Sequence, residues 1–237
     1  MKKYIRSSIT NVLDESEDVQ ISIAKNPHTR VHVLDQLTES PLEEVRYYVA
    51  KNPNTSFDTL RKLAGDFSHI RTAIAHREVL PDDLIARFAD DDQVDVQCAI
   101  ARKPGLPKDI IHKLAHENSA EVRYIIAWAN PDVTPDILME LAGDRNTNVQ
   151  RVVARNPKTP SACLVELAKS SEFSTRAAVA GNPNATPELL TALSDDEHPQ
   201  VLLAVIDNKN TPVEVVKKLT NNSNFVVSSK ASEMLQK

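Results

Sequence analysis

The eleven residues starting at Val19, VQISIAKNPHT, return in recognisable form at 45, 70, 96, 122, 149, 175 and 201, always 25 to 27 residues apart. A period of this length makes one supersecondary unit the building block of the whole chain. Across the copies offsets 0, 3 and 4, which share one face of a helix, are almost all apolar, and an Ala stands at offset 5 in seven of the eight. A second apolar pair follows, three residues apart: Leu34 and Leu37, Leu60 and Leu63, Ile85 and Phe88, Ile111 and Leu114, Leu138 and Leu141, Leu164 and Leu167, Leu190 and Leu193, Val216 and Leu219. Each copy therefore predicts two helices of about two turns, too short to persist alone in water. Only stacking on neighbouring copies buries their faces, so the pattern specifies an all-α solenoid of about eight two-helix repeats of about 26 residues.

Twelve of the 14 prolines mark the boundaries of these helices. Asn-Pro at 26/27, 52/53, 130/131, 156/157 and 182/183 ends the first helix: Asn tolerates the left-handed conformation of a helix end, and Pro cannot continue the helix. Thr-Pro at 134/135, 159/160, 186/187 and 211/212 starts the second, with Thr as cap and Pro at the first position. Gly65 and Gly143 read as stops for the second helix. Residues 1–18 are expected to cap the front through Ile5, Ile9 and Val12, residues 19–224 to form the eight repeats, and residues 225–237 to cap the back through Val226, Val227, Met234 and Leu235.

The pattern V-R-x-x-V-A-x-N-P-x-T-P-x-x-L-L-x-x-L-A resembles the leucine-rich repeat variant family, and its V-R helix resembles the second helix of HEAT-like repeats. That resemblance implies a right-handed α-α superhelix acting as a binding scaffold. The Cys-rich metal segment of some relatives is absent, so no cofactor is implied. Copies three and eight depart from the pattern, with HREVLP in place of Asn-Pro and with Asn208-Lys209, and the superhelix is expected to bend or loosen there.

Composition narrows the function classes. A net charge of -5 does not advertise a nucleic-acid partner for the molecule as a whole. Cys98 and Cys163 lack metal or disulfide spacing, which fits a reducing cytoplasm, and no stretch approaches the roughly 20 apolar residues of a membrane span. Phosphate-binding, metalloprotease and nucleophile-elbow motifs are missing, so a non-enzymatic role is expected. Residues 90–95, DDDQVD, lack the Gly and terminal Glu of a calcium loop and read as a solvated turn. His112 and His116 have the i, i+4 spacing of a zinc pair, but the sequence offers no third ligand nearby and a solvated helix face is the plainer reading.

One surface is unusual. Offsets 1 to 6 of the eight first helices hold nine Lys or Arg and a single acid, Asp207, together with three of the four Tyr and the only Trp. Offset 1, at Arg46, Arg71, Arg123 and Arg176, reads as an inter-repeat brace to acids closing the preceding copy, such as Asp66, Asp144 and Glu117. Offsets 2 and 6 point furthest from the core and predict an exposed ladder: Tyr47 and Lys51, Thr72 and His76, Cys98 and Arg102, Tyr124 and Trp128, Arg151 and Arg155. Tyr47, Lys51, His76, Arg102, Tyr124, Trp128, Arg151 and Arg155 are the candidate binding residues, with Cys98 a small apolar filler. If the first helices line the concave wall, as in HEAT-like repeats, the partner is an acidic or extended protein segment. A nucleic acid held by the same cations and aromatic rings is the alternative. A HEAT-like glycosylase fits poorly, because the ladder offers no acid besides Asp207.

Overall fold

The computed structural model describes residues 11–236, and all of their regular structure is helical. A short 3-10 helix, Val12–Asp14, precedes seventeen α-helices of seven to ten residues. The first helices of the eight copies are α1 (Glu17–Lys25), α3 (Glu43–Lys51), α5 (Ser68–Ala75), α7 (Val94–Ala101), α9 (Ala120–Ala129), α11 (Thr147–Arg155), α13 (Phe173–Ala180) and α15 (Pro199–Asp207). The second helices are α2 (Val31–Leu37), α4 (Phe57–Leu63), α6 (Asp82–Ala89), α8 (Lys108–Ala115), α10 (Pro135–Ala142), α12 (Ser161–Leu167), α14 (Pro187–Leu193) and α16 (Val213–Leu219), and α17 (Phe225–Met234) follows. This is the expected all-α solenoid of two-helix repeats. The chain divides into two compact units, Met1–Ile100 and Ala101–Lys237. In the first, α1 packs on α3 and α3 on α5; in the second, α9, α11, α13, α15 and α17 pack in succession. No helix among the described residues is long and apolar enough to cross a membrane.

The core follows the repeat. Offsets 0 and 4 are buried in seven of the eight first helices, and so is the Ala at offset 5: Ala24, Ala50, Ala75, Ala101, Ala127, Ala154 and Ala180. In the second helices every residue of the apolar pairs is buried except Ile85, which is half-buried while Leu84 beside it turns inward. The ends close less completely than expected. Val12 is buried at the front, and Ile5 and Ile9 lie outside the described residues. At the back only Val227 packs, together with Ala231; Val226, Met234 and Leu235 are exposed, because α17 meets α15 and α16 with one side alone.

The punctuation works through side chains rather than through unusual backbone. No non-glycine residue among those described has a positive φ, and the only such glycine is Gly105. The Asn residues that end first helices sit in extended conformation, at φ -66 and ψ 128 for Asn52. What selects Asn is its amide. Asn182 Nδ2 donates to the carbonyls of Ala154 (2.7 Å) and Asn156 (2.9 Å) in the preceding copy, while its Oδ1 accepts from the Asn184 backbone N–H (2.8 Å). Asn52, Asn130, Asn156 and Asn208 repeat the bridge, and Asn54, Asn184 and Asn210 add a parallel row two residues on. The two copies that break the pattern keep the bridge: Arg77 Nη1 reaches the carbonyls of Ala50 (3.0 Å) and Asn52 (2.8 Å), and Asn208 needs no following Pro. The expected loosening at these copies is therefore offset by the retained cross-copy hydrogen bonds.

The second helices start in two ways. Thr134 and Thr186 cap, with Pro135 and Pro187 in the first turn, as the spacing predicts. At 159/160 and 211/212 the Pro itself is the cap residue, and the Thr hydroxyl turns back to the end of the first helix, Thr159 Oγ1 donating to the Val153 carbonyl at 2.6 Å. Gly143 ends α10 at φ -88 and Gly65 lies beyond the α4 cap, so neither uses glycine's left-handed freedom.

Asn182→Ala is expected to destabilise the protein by about 2–3 kcal/mol, since it removes three hydrogen bonds and strands the Ala154 carbonyl, while the Asn156 carbonyl keeps the Thr159 N–H. Asn182→Asp should recover only the turn, because a carboxylate cannot donate to those carbonyls. Urea denaturation of the two variants checks this; equal stability of Asn182→Ala and the parent would refute it.

Candidate functional site

The first helices present three kinds of position. At offset 1 seven of the eight copies carry Arg or Gln, and the four arginines are consumed by the fold. Arg46 Nε donates to Asp66 at 2.6 Å, Arg71 to Asp91 at 2.7 Å, Arg123 to Asp144 at 2.6 Å and Arg176 to Asp196 at 2.6 Å, each with a second guanidinium contact to the same carboxylate. The remaining amine of each, Nη1, donates to a backbone carbonyl of the turn before its helix, as Arg123 does to Glu117 (2.7 Å) and Asn118 (3.0 Å). The acid closes the copy that contains the Arg, 20 or 21 residues downstream, and not the preceding copy as the sequence reading had it. The reason is geometric: the aliphatic stem spans from the upstream turn, held through its carbonyl, to the downstream turn, held through its acid.

These carboxylates are nearly enclosed. Burial acts to raise the Asp144 carboxyl; the Arg123 hydrogen bonds, the Asn146 backbone N–H and the Arg123 charge outweigh it and hold the group below the usual carboxylate range. The same balance holds for Asp66, Asp91 and Asp196. Asp91 and Asp92, inside the acidic run at 90–95, both bind Arg71, so that run is partly a structural brace.

Offset 2 is covered more than expected. Tyr47, Thr72, Tyr124 and Arg151 are half-buried, and Cys98 is buried. At 100° per residue offset 2 lies only 60° from the offset 5 Ala, where the neighbouring first helix packs, whereas offset 6 lies 100° from it. Offset 6 is the exposed rung: Lys51, His76, Arg102, Trp128 and Arg155 all face solvent, Trp128 with 56% of its surface free.

Each unit carries its own part of this surface. In the first, Tyr47, Lys51 and His76 come together with His69, Thr72 and Asp95 around a depression of about 410 Å³. Lys51 Nζ lies 5.3 Å from the Tyr47 ring centre and Lys25 Nζ 3.9 Å from that of Tyr48, so aromatic faces and cations are already paired there. In the second, Tyr124 and Trp128 on α9 lie on the helix next to α11, which carries Arg151 and Arg155. The extra residue of this copy, Ala129, is absorbed in a widened last turn, where the Asn130 N–H reaches the Ile125 carbonyl five residues back at 3.2 Å. Trp128 sits in that turn. Neither Arg151 nor Arg155 has an ion-pair partner among the described residues, and Arg151 Nε is buried without any hydrogen-bond acceptor. Asp207, the one acid at offsets 1 to 6, is neutralised by Lys230 at 2.9 Å.

Two features escaped the sequence reading. The downstream Asp partners were visible as internal covariation: Arg46, Arg71 and Arg176 have Asp twenty residues on and Arg123 has it at twenty-one, while Gln20 and Gln150 have Ser at that distance, and Ser40 indeed bonds Gln20 at 2.8 Å. The second feature is Glu140, which the stacking of α10 on α8 brings to His112 and His116.

Residues 148–209 match the Leucine Rich Repeat Variant domain. Among solved structures, the chain is similar to a leucine-rich repeat variant described as having a novel repetitive structural motif, with 21% identity, a TM-score of 0.75, and 94% of this chain and 88% of that one covered. An archaeal HEAT-like repeat protein from Thermococcus onnurineus NA1 aligns over 95% of this chain and 93% of its own at 12% identity, with a TM-score of 0.28 that carries no further weight. No curated protein matches the sequence. Residues 148–209 are thus similar to the leucine-rich repeat variant domain, and 94% of the chain aligns with the helical-repeat fold of a solved leucine-rich repeat variant.

Proposed function

We propose that this chain is a non-enzymatic repeat scaffold that binds an acidic or extended protein segment along its first helices. The observation that carries the proposal is the separation of the cations into two sets. Four arginines are locked in ion pairs with Asp, while Arg151 and Arg155 have no such partner among the described residues and lie on the helix next to Tyr124 and an exposed Trp128. Large exposed aromatic surface beside free guanidinium groups is the composition of a binding hot spot rather than of a solvated face.

Packing supports the choice of layer. In the second unit the first helices approach one another more closely than the second helices do, and a stack with that asymmetry bends with its first helices inward. Cys98 and Cys163, both buried and not joined in a disulfide, fit a reducing compartment such as the cytoplasm. The same cation census disfavours nucleic acid, because of the nine Lys and Arg at offsets 1 to 6 four are neutralised in the fold, which leaves few for phosphates.

Trp128 is the only Trp, so its emission reports binding at this surface directly. Extended acidic peptides are expected to shift that emission, and Arg151→Glu/Arg155→Glu to weaken their binding at least tenfold. Labelled DNA and RNA across a salt series form the second arm: tight binding, with a steep salt slope that shrinks in the double variant, would replace the protein reading by the nucleic-acid one. Peptide binding unaffected by the double variant would place the surface elsewhere.

A further inference from the structure

His112 and His116 are one turn apart on α8, and the next second helix, α10, sets Glu140 against both. Glu140 Oε2 lies 3.4 Å from His116 Nε2 and 3.8 Å from His112 Nε2, and one ligand atom from each of the three residues falls within 4.8 Å of the other two. The rings stack with centres 4.3 Å apart. A backbone contact orients the His116 ring. His116 Nδ1 is 2.7 Å from the backbone carbonyl of His112, and since a carbonyl oxygen only accepts, Nδ1 carries the proton. In the neutral ring that leaves the Nε2 lone pair pointing at Glu140. His112 Nε2 offers a further lone pair in the tautomer that keeps its proton on Nδ1, so two imidazole nitrogens and a carboxylate oxygen converge on one point.

We propose that His112 Nε2, His116 Nε2 and a Glu140 oxygen form a binding site for a divalent transition-metal ion of the zinc class. Bonds of about 2.0–2.1 Å in tetrahedral geometry separate ligand atoms by about 3.3 Å; the two His–Glu140 separations, 3.4 and 3.8 Å, are already near that value, and with all three atoms within 4.8 Å of one another no pair has to close by more than about 1.5 Å. Two imidazoles and one carboxylate suit zinc, nickel or copper and not calcium or magnesium, which prefer oxygen ligands throughout. Three protein ligands leave a fourth position, which opens to solvent at the edge of a cleft of about 360 Å³ that Glu140 and His116 line with Arg145. Because the ligands come from α8 and α10, the ion links the second helices of two neighbouring copies. This site is separate from the first-helix surface, and its success or failure leaves the scaffold proposal untouched.

The test is titration of the metal-free full-length chain with Zn²⁺ against a chromophoric chelator. One Zn²⁺ per chain is expected, with His116→Ala and Glu140→Ala each weakening it at least tenfold and His112→Ala/His116→Ala abolishing it. All three side chains are exposed, so circular dichroism should show the variants folded as the parent. Visible absorption of the Co²⁺ form should report a tetrahedral nitrogen and oxygen set, and millimolar Mg²⁺ or Ca²⁺ should not compete. Absence of stoichiometric binding at tens of micromolar Zn²⁺, or binding that survives the double His variant, overturns the proposal.

Discussion

Arg123→Ala is expected to lower stability by about 3–5 kcal/mol, the range for removing one partner of a buried ion pair and leaving the other charge uncompensated. Arg123 and Asp144 have side chains only 7% and 4% exposed, and the same guanidinium also satisfies the carbonyls of Glu117 and Asn118. The chain contains its own uncharged solution to the same join. In copy one Gln20 Nε2 donates to the upstream carbonyls of Leu13 and Glu15 while Ser40, in the place of the Asp, donates to Gln20 Oε1. Ser40 Oγ also accepts from the Leu42 N–H at 3.3 Å, as Asp144 Oδ1 does from that of Asn146 at 2.8 Å. Arg123→Gln/Asp144→Ser should therefore regain most of what Arg123→Ala loses. Urea denaturation with hydrogen exchange across α8 to α11 decides the matter. A loss under about 0.5 kcal/mol for Arg123→Ala would show that the brace contributes nothing net, as many exposed ion pairs do.

The same pairs set a pH dependence with a definite sign. Each Asp has a folded-state value below its unfolded one, so its contribution is fully present above the unfolded pKa and disappears as pH falls through the folded one. Acid should begin to weaken the protein below about pH 4, and the Gln/Ser double variant should show a shallower loss there than the parent.

Leu141→Ala or Leu167→Ala is the second large effect, about 2–5 kcal/mol for a buried cavity in either case. Leu141 on α10 is 4% exposed and Leu167 on α12 is 3% exposed. In a stack where each repeat touches only its neighbours, the damage should be local. Exchange protection is expected to fall in α10 to α13 while α1 to α5 hold theirs. A denaturation midpoint that neither substitution moves would sink the assignment of these pairs to the core.

How much was legible in the sequence follows from how each feature repeats. The helix pairs, their boundaries and the leucine core recur every 25 to 27 residues, and eight copies of one pattern leave little choice of secondary structure. The exposed offset 6 positions followed from helical geometry alone. The half-burial of Tyr47, Tyr124 and Arg151 did not, because it depends on how closely the next first helix approaches, and that is fixed by packing on the offset 5 Ala. Asn182 could be read as a helix stop, but its amide serves the preceding copy, 26 to 28 residues away, and such a contact exists only once the copies are stacked.

The sequence by itself determined the repeat, its two helices and the residues they bury, since periodicity and short-range propensity act within a single copy. Only the tertiary structure decided the pairings between copies: which Asp meets which Arg, which carbonyls the Asn rows hold, that Arg77 stands in for a missing Asn, and that Glu140 closes on His112 and His116. These choices depend on the rise and rotation from one copy to the next, quantities that no single copy encodes and that the packing of neighbouring helices sets.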